Sequence, residues 1–250
     1  MNLSKRLMTA VNMVTEGFAV LDVGCDHAYT SIELVRRKSP CAVASDVRPG
    51  PLKAAREHIA EAGLEDKVTT VLADGVPRNI IGLLPENIHA SLVITGMGGM
   101  LIIKILSEAA ELLERFDELI LSPQSDIYAV RKYLAERSYV FIDEAEILED
   151  GKFYTLMKVH LRKDDERDKS TKPDSQRESL AVQLSDAELT YGPCLLRKKD
   201  ETLKAYLIKR RNVLTDIKEK LIESGRGADD TRIREIDEEV RLIDEAERYY

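Results

Sequence analysis

Carboxylates recur in the first third of the sequence at the ends of short apolar runs. Three such runs lie at residues 19–23, 41–46 and 68–72, and the acids in or just beyond them are Asp22, Asp26, Asp46 and Asp74. Short apolar runs that stop at Gly or Asp are typical of buried parallel strands that end in tight turns. Each acid alone would equally suit a helix N-cap or a turn. Because ligands of such sheets bind at the carboxyl ends of the strands, we predict that the four carboxylates face one ligand.

The turn after the first run argues against a dinucleotide. A dinucleotide-binding turn needs the pattern Gly-x-Gly-x-x-Gly. This turn reads GCDHAY over residues 24–29, so the second and third glycines are missing and Asp26 would face the phosphates. S-adenosylmethionine instead presents an ammonium, a sulfonium and a ribose diol, which carboxylates can bind. We therefore predict this cofactor, with Asp22 and Asp26 at its amino-acid part, Asp46 at its ribose and Asp74 at its adenine.

A glycine-rich stretch follows a fourth apolar run at residues 91–95. Its glycines would let the backbone approach a ligand closely, and the helix that follows would present free amides. With this stretch included, the predicted cofactor-binding residues are Asp22, Gly24, Asp26, Asp46, Val47, Asp74, Gly75, Thr95, Gly96, Met97 and Gly98.

The first two thirds of the chain alternate between strand-like and helix-like runs. This alternation predicts an α/β fold with a parallel sheet that is covered on both faces. Two further apolar runs, 139–148 and 153–160, flank Asp150-Gly151, which is a hairpin signal and predicts an antiparallel end to the sheet. Residues 1–161 are therefore predicted to form the cofactor-binding domain.

The C-terminal part has a different pattern. Residues 162–177 contain one proline and no large apolar residue, which predicts a linker. Apolar residues at spacings of three and four in 203–221 and 233–243 predict a helical hairpin with coiled-coil packing. We predict that residues 178–250 form a small all-α coiled-coil domain, either as a stabilising appendage or as a support for a large substrate.

The composition narrows the class of protein. A net charge of −8 argues against broad, non-specific nucleic-acid binding. No apolar run approaches the ~20 residues of a membrane-spanning helix, and the N-terminus lacks a signal-peptide pattern. The three cysteines are far apart in sequence, which predicts neither disulfides nor a metal site. We expect a cytoplasmic protein that binds no membrane and no metal.

Seven short motifs occur in order along the chain: LSKRL at 3–7, DVGCDHAY at 22–29, GPL at 50–52, DG at 74–75, GMGG at 96–99, LSPQ at 121–124 and YGPCLL at 191–196. With these motifs the sequence closely resembles the bacterial TrmK family, the tRNA (adenine(22)-N1)-methyltransferases. The resemblance covers essentially the whole chain. It implies a Rossmann-like class I methyltransferase sheet, a C-terminal coiled-coil domain, and methylation of N1 of adenine 22 in tRNA.

The implied reaction needs alignment more than a strong base, because neutral adenine N1 already has a lone pair. The methylated ring is cationic, and a nearby carboxylate would stabilise the developing charge. We assign this catalytic role to Asp26, with His27 second, although His27 would equally suit a structural hydrogen bond to the backbone. N1 lies on the Watson–Crick edge, so the adenine must be unpaired and turned out before reaction. Tyr29 and Met97 are candidates to pack on the flipped base.

The predicted RNA-binding residues are the basic side chains nearest the site and one aromatic residue: Lys5, Arg6, Tyr29, Arg48, Arg78, Arg131 and Lys132. The basic clusters 197–199 and 209–211 of the tail are weaker candidates, because charge runs usually form solvated helix faces. Two other functions stay open from the residues alone. One is methyl transfer to a small molecule or a protein, and the other is a non-catalytic adenosine-ligand module that binds a partner protein.

Overall fold

The computed structural model describes residues 3–161, 183–225 and 230–250 of the 250-residue chain. It contains two compact units, and the second unit begins at Gln183. The predicted linker, residues 162–177, lies outside the described residues, as do residues 178–182 of the predicted helical domain. The domain boundaries on either side of this linker therefore stay predictions.

A seven-stranded sheet forms the centre of the first unit. Its strands are β1 (Ala19–Val23), β2 (Ala42–Asp46), β3 (Val68–Leu72), β4 (Ala90–Met97), β5 (Glu118–Pro123), β6 (Val140–Glu149) and β7 (Lys152–His160). The strand order is β3-β2-β1-β4-β5-β7-β6. The first five strands pair in parallel, whereas β7 runs antiparallel to both β5 and β6. The predicted Rossmann-like sheet with a C-terminal antiparallel hairpin is confirmed.

The backbone of the hairpin turn explains why Asp150-Gly151 predicts a hairpin. Asp150 and Gly151 both have positive φ, at 50° and 76°. Two consecutive positive φ values match the right-handed twist of a two-residue hairpin, and Asp-Gly is a favoured pair for this geometry.

Six α-helices belong to the described part of the first unit: α1 (Lys5–Met13), α2 (Tyr29–Arg37), α3 (Pro49–Glu61), α4 (Ile80–Leu83), α5 (Gly99–Glu108) and α6 (Ile127–Glu136). Helix α3 begins three residues before its predicted start at Leu52, because Pro49 in the first turn needs no backbone N–H partner. Helix α5 ends at Glu108 rather than at Leu113, and a short 3₁₀ turn, Leu113–Arg115, follows.

Both faces of the sheet are buried, as the alternation of strands and helices predicts. Successive residues of a strand point to opposite faces. Residues of β1, β4 and β5 accordingly enter two separate apolar clusters: Leu21, Leu92 and Leu119 in one, and Val20, Val93 and Ile120 in the other. Because β1 to β5 also pair in parallel, their carboxyl ends share one edge of the sheet.

Arg131 is the one RNA-binding prediction that the fold contradicts. Its side chain is 1% exposed, and its Nε donates a hydrogen bond of 2.8 Å to Oε1 of Glu144, which is fully buried. The pair joins α6 to β6. Arg131 lies on the buried face of α6 with Val130 and Leu134, so it cannot reach a phosphate without breaking this contact.

The second unit contains four described helices: α7 (Asp186–Tyr191), α8 (Pro193–Arg197), α9 (Glu201–Glu223) and α10 (Thr231–Glu247). The predicted helix over 180–189 lies partly outside the described residues, and within them α7 begins at Asp186 because Ser185 and Glu188 form a capping box at its N-terminus. Gly192, at φ 100°, separates α7 from α8. Helices α9 and α10 contribute to one apolar cluster through Leu203, Leu207, Leu214, Ile236 and Ile243. The helical character is confirmed, whereas coiled-coil packing stays a prediction.

Ion pairs between α9 and α10 occupy part of the basic cluster at 209–211. Arg210 Nη2 donates to Glu239 Oε2 at 2.8 Å. Arg211 Nη2 contacts Asp244 at 2.7 Å and Glu247 at 2.8 Å. These two guanidinium groups therefore stabilise the hairpin, which explains the charge run without invoking a phosphate.

Candidate active site

A cavity of about 540 Å³ opens at the carboxyl ends of β1 to β5. Every predicted cofactor-binding residue except Gly98 lines it. Sequence analysis missed part of the lining, mainly apolar and amide side chains that the strand-end pattern does not mark: Leu101, Ile105 and Gln124. The structure thus brings together at one edge the four carboxylates that the sequence places at separate strand ends.

The turn after β1 has an unusual backbone. Gly24, Asp26 and Ala28 all have positive φ, at 73°, 50° and 59°. The N–H groups of Gly24 and Cys25 donate to the carbonyl of Ser45 at 2.8 and 2.9 Å. The turn is therefore tied to the end of β2, and its left-handed residues aim Asp26 into the cavity instead of continuing the strand.

Gly24 suits this turn through its positive φ, and the end of the Met97 side chain lies against it. A Cβ at this position would lie 2.2 Å from Cε of Met97. The Met97 side chain from β4 therefore covers the first turn. A Cβ on Gly75 would lie 3.3 Å from Cγ2 of Ile105, so an apolar side chain from α5 also closes over the end of β3.

Asp22 is the most deeply placed carboxylate of the site. It is 2% exposed and accepts a hydrogen bond of 2.7 Å from Oγ of Ser31. Burial raises the pKa of Asp22 from 3.8 to about 6, and the Ser31 hydrogen bond opposes this rise because it stabilises the ionised form. Asp22 can therefore change its charge close to neutral pH.

Asp46 and Asp26 share contacts with Arg48. The Arg48 backbone N–H donates to Asp46 Oδ1 at 2.9 Å, and Arg48 Nη2 lies 3.8 Å from Asp26 Oδ1. The Arg48 side chain is 66% exposed, so this pairing is weak and can be exchanged for another partner. Arg48, predicted to bind RNA, thus stands at the mouth of the cavity between two carboxylates.

His27 and Tyr29 belong to a cluster with His58, a residue that sequence analysis missed. The Tyr29 hydroxyl lies 3.2 Å from His58 Nε2, and His58 Nδ1 lies 3.2 Å from the carbonyl of His27. Since a carbonyl can only accept, Nδ1 carries the proton and Nε2 of a neutral His58 accepts from Tyr29. The His27 and Tyr29 rings stack at 5.6 Å between centroids. His58 thereby joins α3 to the turn after β1.

The remaining predicted RNA-binding residues divide into two groups. Arg6 and Tyr29 line the cavity, as Arg48 does. Lys5, Arg78 and Lys132 are exposed but lie outside the lining.

His27 Nδ1 is buried and has no hydrogen-bond partner among the described residues, while His27 Nε2 lies 3.7 Å from Asp26 Oδ2.

A comparison with family models matches residues 20–245 to TrmK, tRNA (adenine(22)-N(1))-methyltransferase. A Bacillus subtilis tRNA (adenine(22)-N(1))-methyltransferase is 31% identical over 158 residues, which are 63% of this chain and 64% of that protein. A Mycoplasma pneumoniae protein is 30% identical over 206 residues, which are 80% of this chain and 84% of that one.

Solved structures agree with the sequence comparisons. Streptococcus pneumoniae Sp1610 in complex with S-adenosyl-L-methionine superimposes with a TM-score of 0.77 and 27% identity, over 98% of this chain and 99% of that one. Among the described residues, no helix is long and apolar enough to cross a membrane.

Proposed function

The chain belongs to the TrmK family of tRNA (adenine(22)-N(1))-methyltransferases, and we propose that the cavity at the ends of β1 to β5 is its active site. The enzyme transfers a methyl group from S-adenosylmethionine to N1 of adenine 22 in tRNA. The observation that carries this assignment is the convergence of four carboxylates on one cavity: Asp22, Asp26, Asp46 and Asp74.

The donor set of the cavity fits S-adenosylmethionine, which supplies the electrophilic methyl group. Asp46 accepts the two ribose hydroxyls, as acids at the second strand do in related sheets. Asp22 holds the amino group of the methionine part, and Asp74 accepts from the adenine amino group. The Met97 side chain lies against Gly24 and lines the cavity, where it would contact the cofactor.

Asp26 acts on the adenine. Its carboxylate is 61% exposed and faces the cavity, where it stabilises the positive charge that develops on the ring as N1 is methylated. His27, whose Nε2 lies 3.7 Å from Asp26 Oδ2, is the second residue placed to act on the adenine. No strong base is needed, because N1 of neutral adenine carries no proton.

The tRNA is bound around the mouth of the cavity. Tyr29 and Met97 pack against the adenine after it has turned out of the tRNA core. Lys5, Arg48, Arg78 and Lys132 contact phosphates, which need cations on an otherwise acidic chain. Residues 178–250 form a helical domain that supports the large substrate. Residues 162–177 link this helical domain to the domain of residues 1–161. The protein acts in the cytoplasm, where its tRNA substrate is modified.

Two variants of one residue test the catalytic assignment. Asp26→Asn and Asp26→Ala should lower the single-turnover methyl-transfer rate about tenfold to a thousandfold, since stabilisation of transition-state charge is lost. The dissociation constant for S-adenosylmethionine, measured by calorimetry without RNA, should change about threefold at most. If rate and affinity fall together, Asp26 holds the cofactor instead. Methyl transfer that proceeds without RNA would contradict the tRNA assignment.

A further inference from the structure

An arginine with one unpartnered guanidinium nitrogen forms part of the cavity wall. Arg6 lies in the first turn of α1 and lines the cavity. Its Nη1 is fully buried and has no hydrogen-bond partner among residues 3–161, 183–225 and 230–250. Within the same ranges, Arg6 forms no ion pair with a carboxylate. One nitrogen of a cationic side chain is thus buried at the site without a hydrogen-bond acceptor, although buried polar atoms normally have one.

The position of Arg6 is fixed by its surroundings. Its guanidinium carbon lies 5.2 Å from the ring centre of Tyr154 on β7, a cation–π contact. A Cβ on Gly96 would lie 3.5 Å from Arg6 Nη1 and 3.9 Å from Nε2 of Gln124. Arg6 therefore stands at the ends of β4 and β5, whereas the carboxylates stand at the ends of β1, β2 and β3.

This arrangement separates charge along the cavity. Four carboxylates repel an anionic group from the β1 to β3 side, and Arg6 attracts it to the β4 and β5 side. A guanidinium binds carboxylate and phosphate through two parallel hydrogen bonds, so it selects planar or tetrahedral oxyanions by shape as well as by charge. Among the side chains that line the cavity, Arg48 is the other arginine, and its side chain faces Asp26 and Asp46.

We propose that Arg6 is the subsite for an anionic oxygen of the bound reactants. The proposal rests on the proposed function, because both reactants of that function carry such a group. The oxyanion is the carboxylate of the cofactor's methionine part or a phosphate beside the target adenosine. Arg6 orients the reactant by pairing with this group, and the cation–π contact with Tyr154 holds the guanidinium in place.

The first arm of the test needs no RNA. Calorimetry measures the binding of S-adenosylmethionine and of decarboxylated S-adenosylmethionine to the wild type, to Arg6→Gln and to Arg6→Lys. If the carboxylate is the oxyanion, Arg6→Gln weakens binding of S-adenosylmethionine about tenfold to a hundredfold and leaves binding of the decarboxylated form unchanged. Arg6→Lys restores part of the loss, since it keeps the charge but not the two-pronged geometry.

The second arm uses tRNA. If a phosphate is the oxyanion, Arg6→Gln leaves both cofactor affinities unchanged and raises the KM for tRNA about tenfold or more. The slope of the logarithm of the tRNA-binding constant against the logarithm of salt concentration then decreases in magnitude by about one, because one phosphate contact is lost. Arg36→Gln is the matched control, because Arg36 is an exposed arginine in the last turn of α2, at the end of that helix away from the cavity.

Two results overturn the proposal. One is that Arg6→Gln behaves as Arg36→Gln does in both arms. The other is that the two cofactor forms lose affinity equally while KM for tRNA is unchanged, which would make Arg6 a purely structural residue. Failure of the proposed function gives a different result, since the wild type would then not methylate tRNA at all while the first arm still reports on Arg6.

Discussion

The backbone N–H of Asp26 donates a hydrogen bond to Oδ2 of Asp46 at 3.3 Å. The other oxygen of Asp46 accepts from the backbone N–H of Arg48 at 2.9 Å. Asp46 therefore orients the turn after β1 and the start of α3. Its Oδ1 also accepts from Arg48 Nε at 3.5 Å, whereas its Oδ2 keeps a lone pair for a ligand. One carboxylate thus couples the shape of the catalytic turn to cofactor binding.

Asp46→Asn should weaken S-adenosylmethionine binding about tenfold to a hundredfold, because an amide has one acceptor oxygen where the carboxylate has two. Calorimetry measures the effect. Asp74→Asn is the matched control, since Asp74 is exposed and an amide oxygen can still accept from the adenine amino group. An equal loss in both variants would contradict the special role of Asp46.

Cofactor affinity should fall as the solution becomes acidic. The pKa of Asp22 is about 6, and only its ionised form pairs with an ammonium group. Binding of S-adenosylmethionine should therefore weaken about tenfold per pH unit below pH 6. Asp22→Asn should bind weakly at every pH. Ser31→Ala removes a hydrogen bond that favours the ionised form of Asp22. The midpoint of the pH dependence of S-adenosylmethionine binding should therefore shift to higher pH in this variant.

The same carboxyl group makes stability depend on pH with the opposite sign. Between pH 4 and pH 6 the unfolded chain has released the Asp22 proton and the folded, unliganded protein still holds it. Raising the pH through this window should therefore lower the free energy of unfolding, by up to about 3 kcal/mol from Asp22. Urea unfolding of wild type and Asp22→Asn measures the difference, and parallel pH profiles would contradict it.

His58 is expected to be a positioning residue for the turn. His58→Ala removes the contacts to the His27 carbonyl and the Tyr29 hydroxyl, and should lower the single-turnover rate about tenfold to a hundredfold. Cofactor affinity should change little. His58→Asn keeps a donor near the Nδ1 position and should recover part of the rate. If Asn is no better than Ala, or if affinity falls with the rate, the positioning role is wrong.

Arg131 and Lys132 give a matched pair of neighbouring cations, one buried and one exposed. Arg131→Met removes the ion pair that Arg131 forms with the fully buried Glu144 and should destabilise the protein by about 3–5 kcal/mol. The KM of Arg131→Met for tRNA should be unchanged, because the buried Arg131 contacts no phosphate. Lys132→Met should leave the Tm unchanged and raise the KM for tRNA. Thermal unfolding and initial-rate kinetics distinguish the two, and a reversed pattern would restore the original expectation for Arg131.

The strand-end acids could be predicted from sequence because they depend on local signals. Apolar runs mark the strands, and parallel pairing then brings their ends to one edge. The hairpin at Asp150-Gly151 was equally local. These elements account for the sheet and for ten of the predicted cavity residues.

The errors come from contacts between distant segments. His58 reaches the first turn only because α3 packs on the sheet, and no spacing marks that contact. Arg131 meets Glu144 across α6 and β6, although the helical period through Val130 and Leu134 already placed it on a buried face. The cluster at 209–211 was a weaker phosphate candidate, and the acids of α10 that pair with Arg210 and Arg211 could not be assigned to it from sequence spacing.

The most direct test of the central claim is nucleoside mass spectrometry of two tRNA transcripts treated with the purified protein and S-adenosylmethionine. One transcript carries adenosine at position 22 and the other carries guanosine there. We predict stoichiometric 1-methyladenosine in the first transcript and none in the second. No 1-methyladenosine in the first, or equal amounts in both, would contradict the assignment.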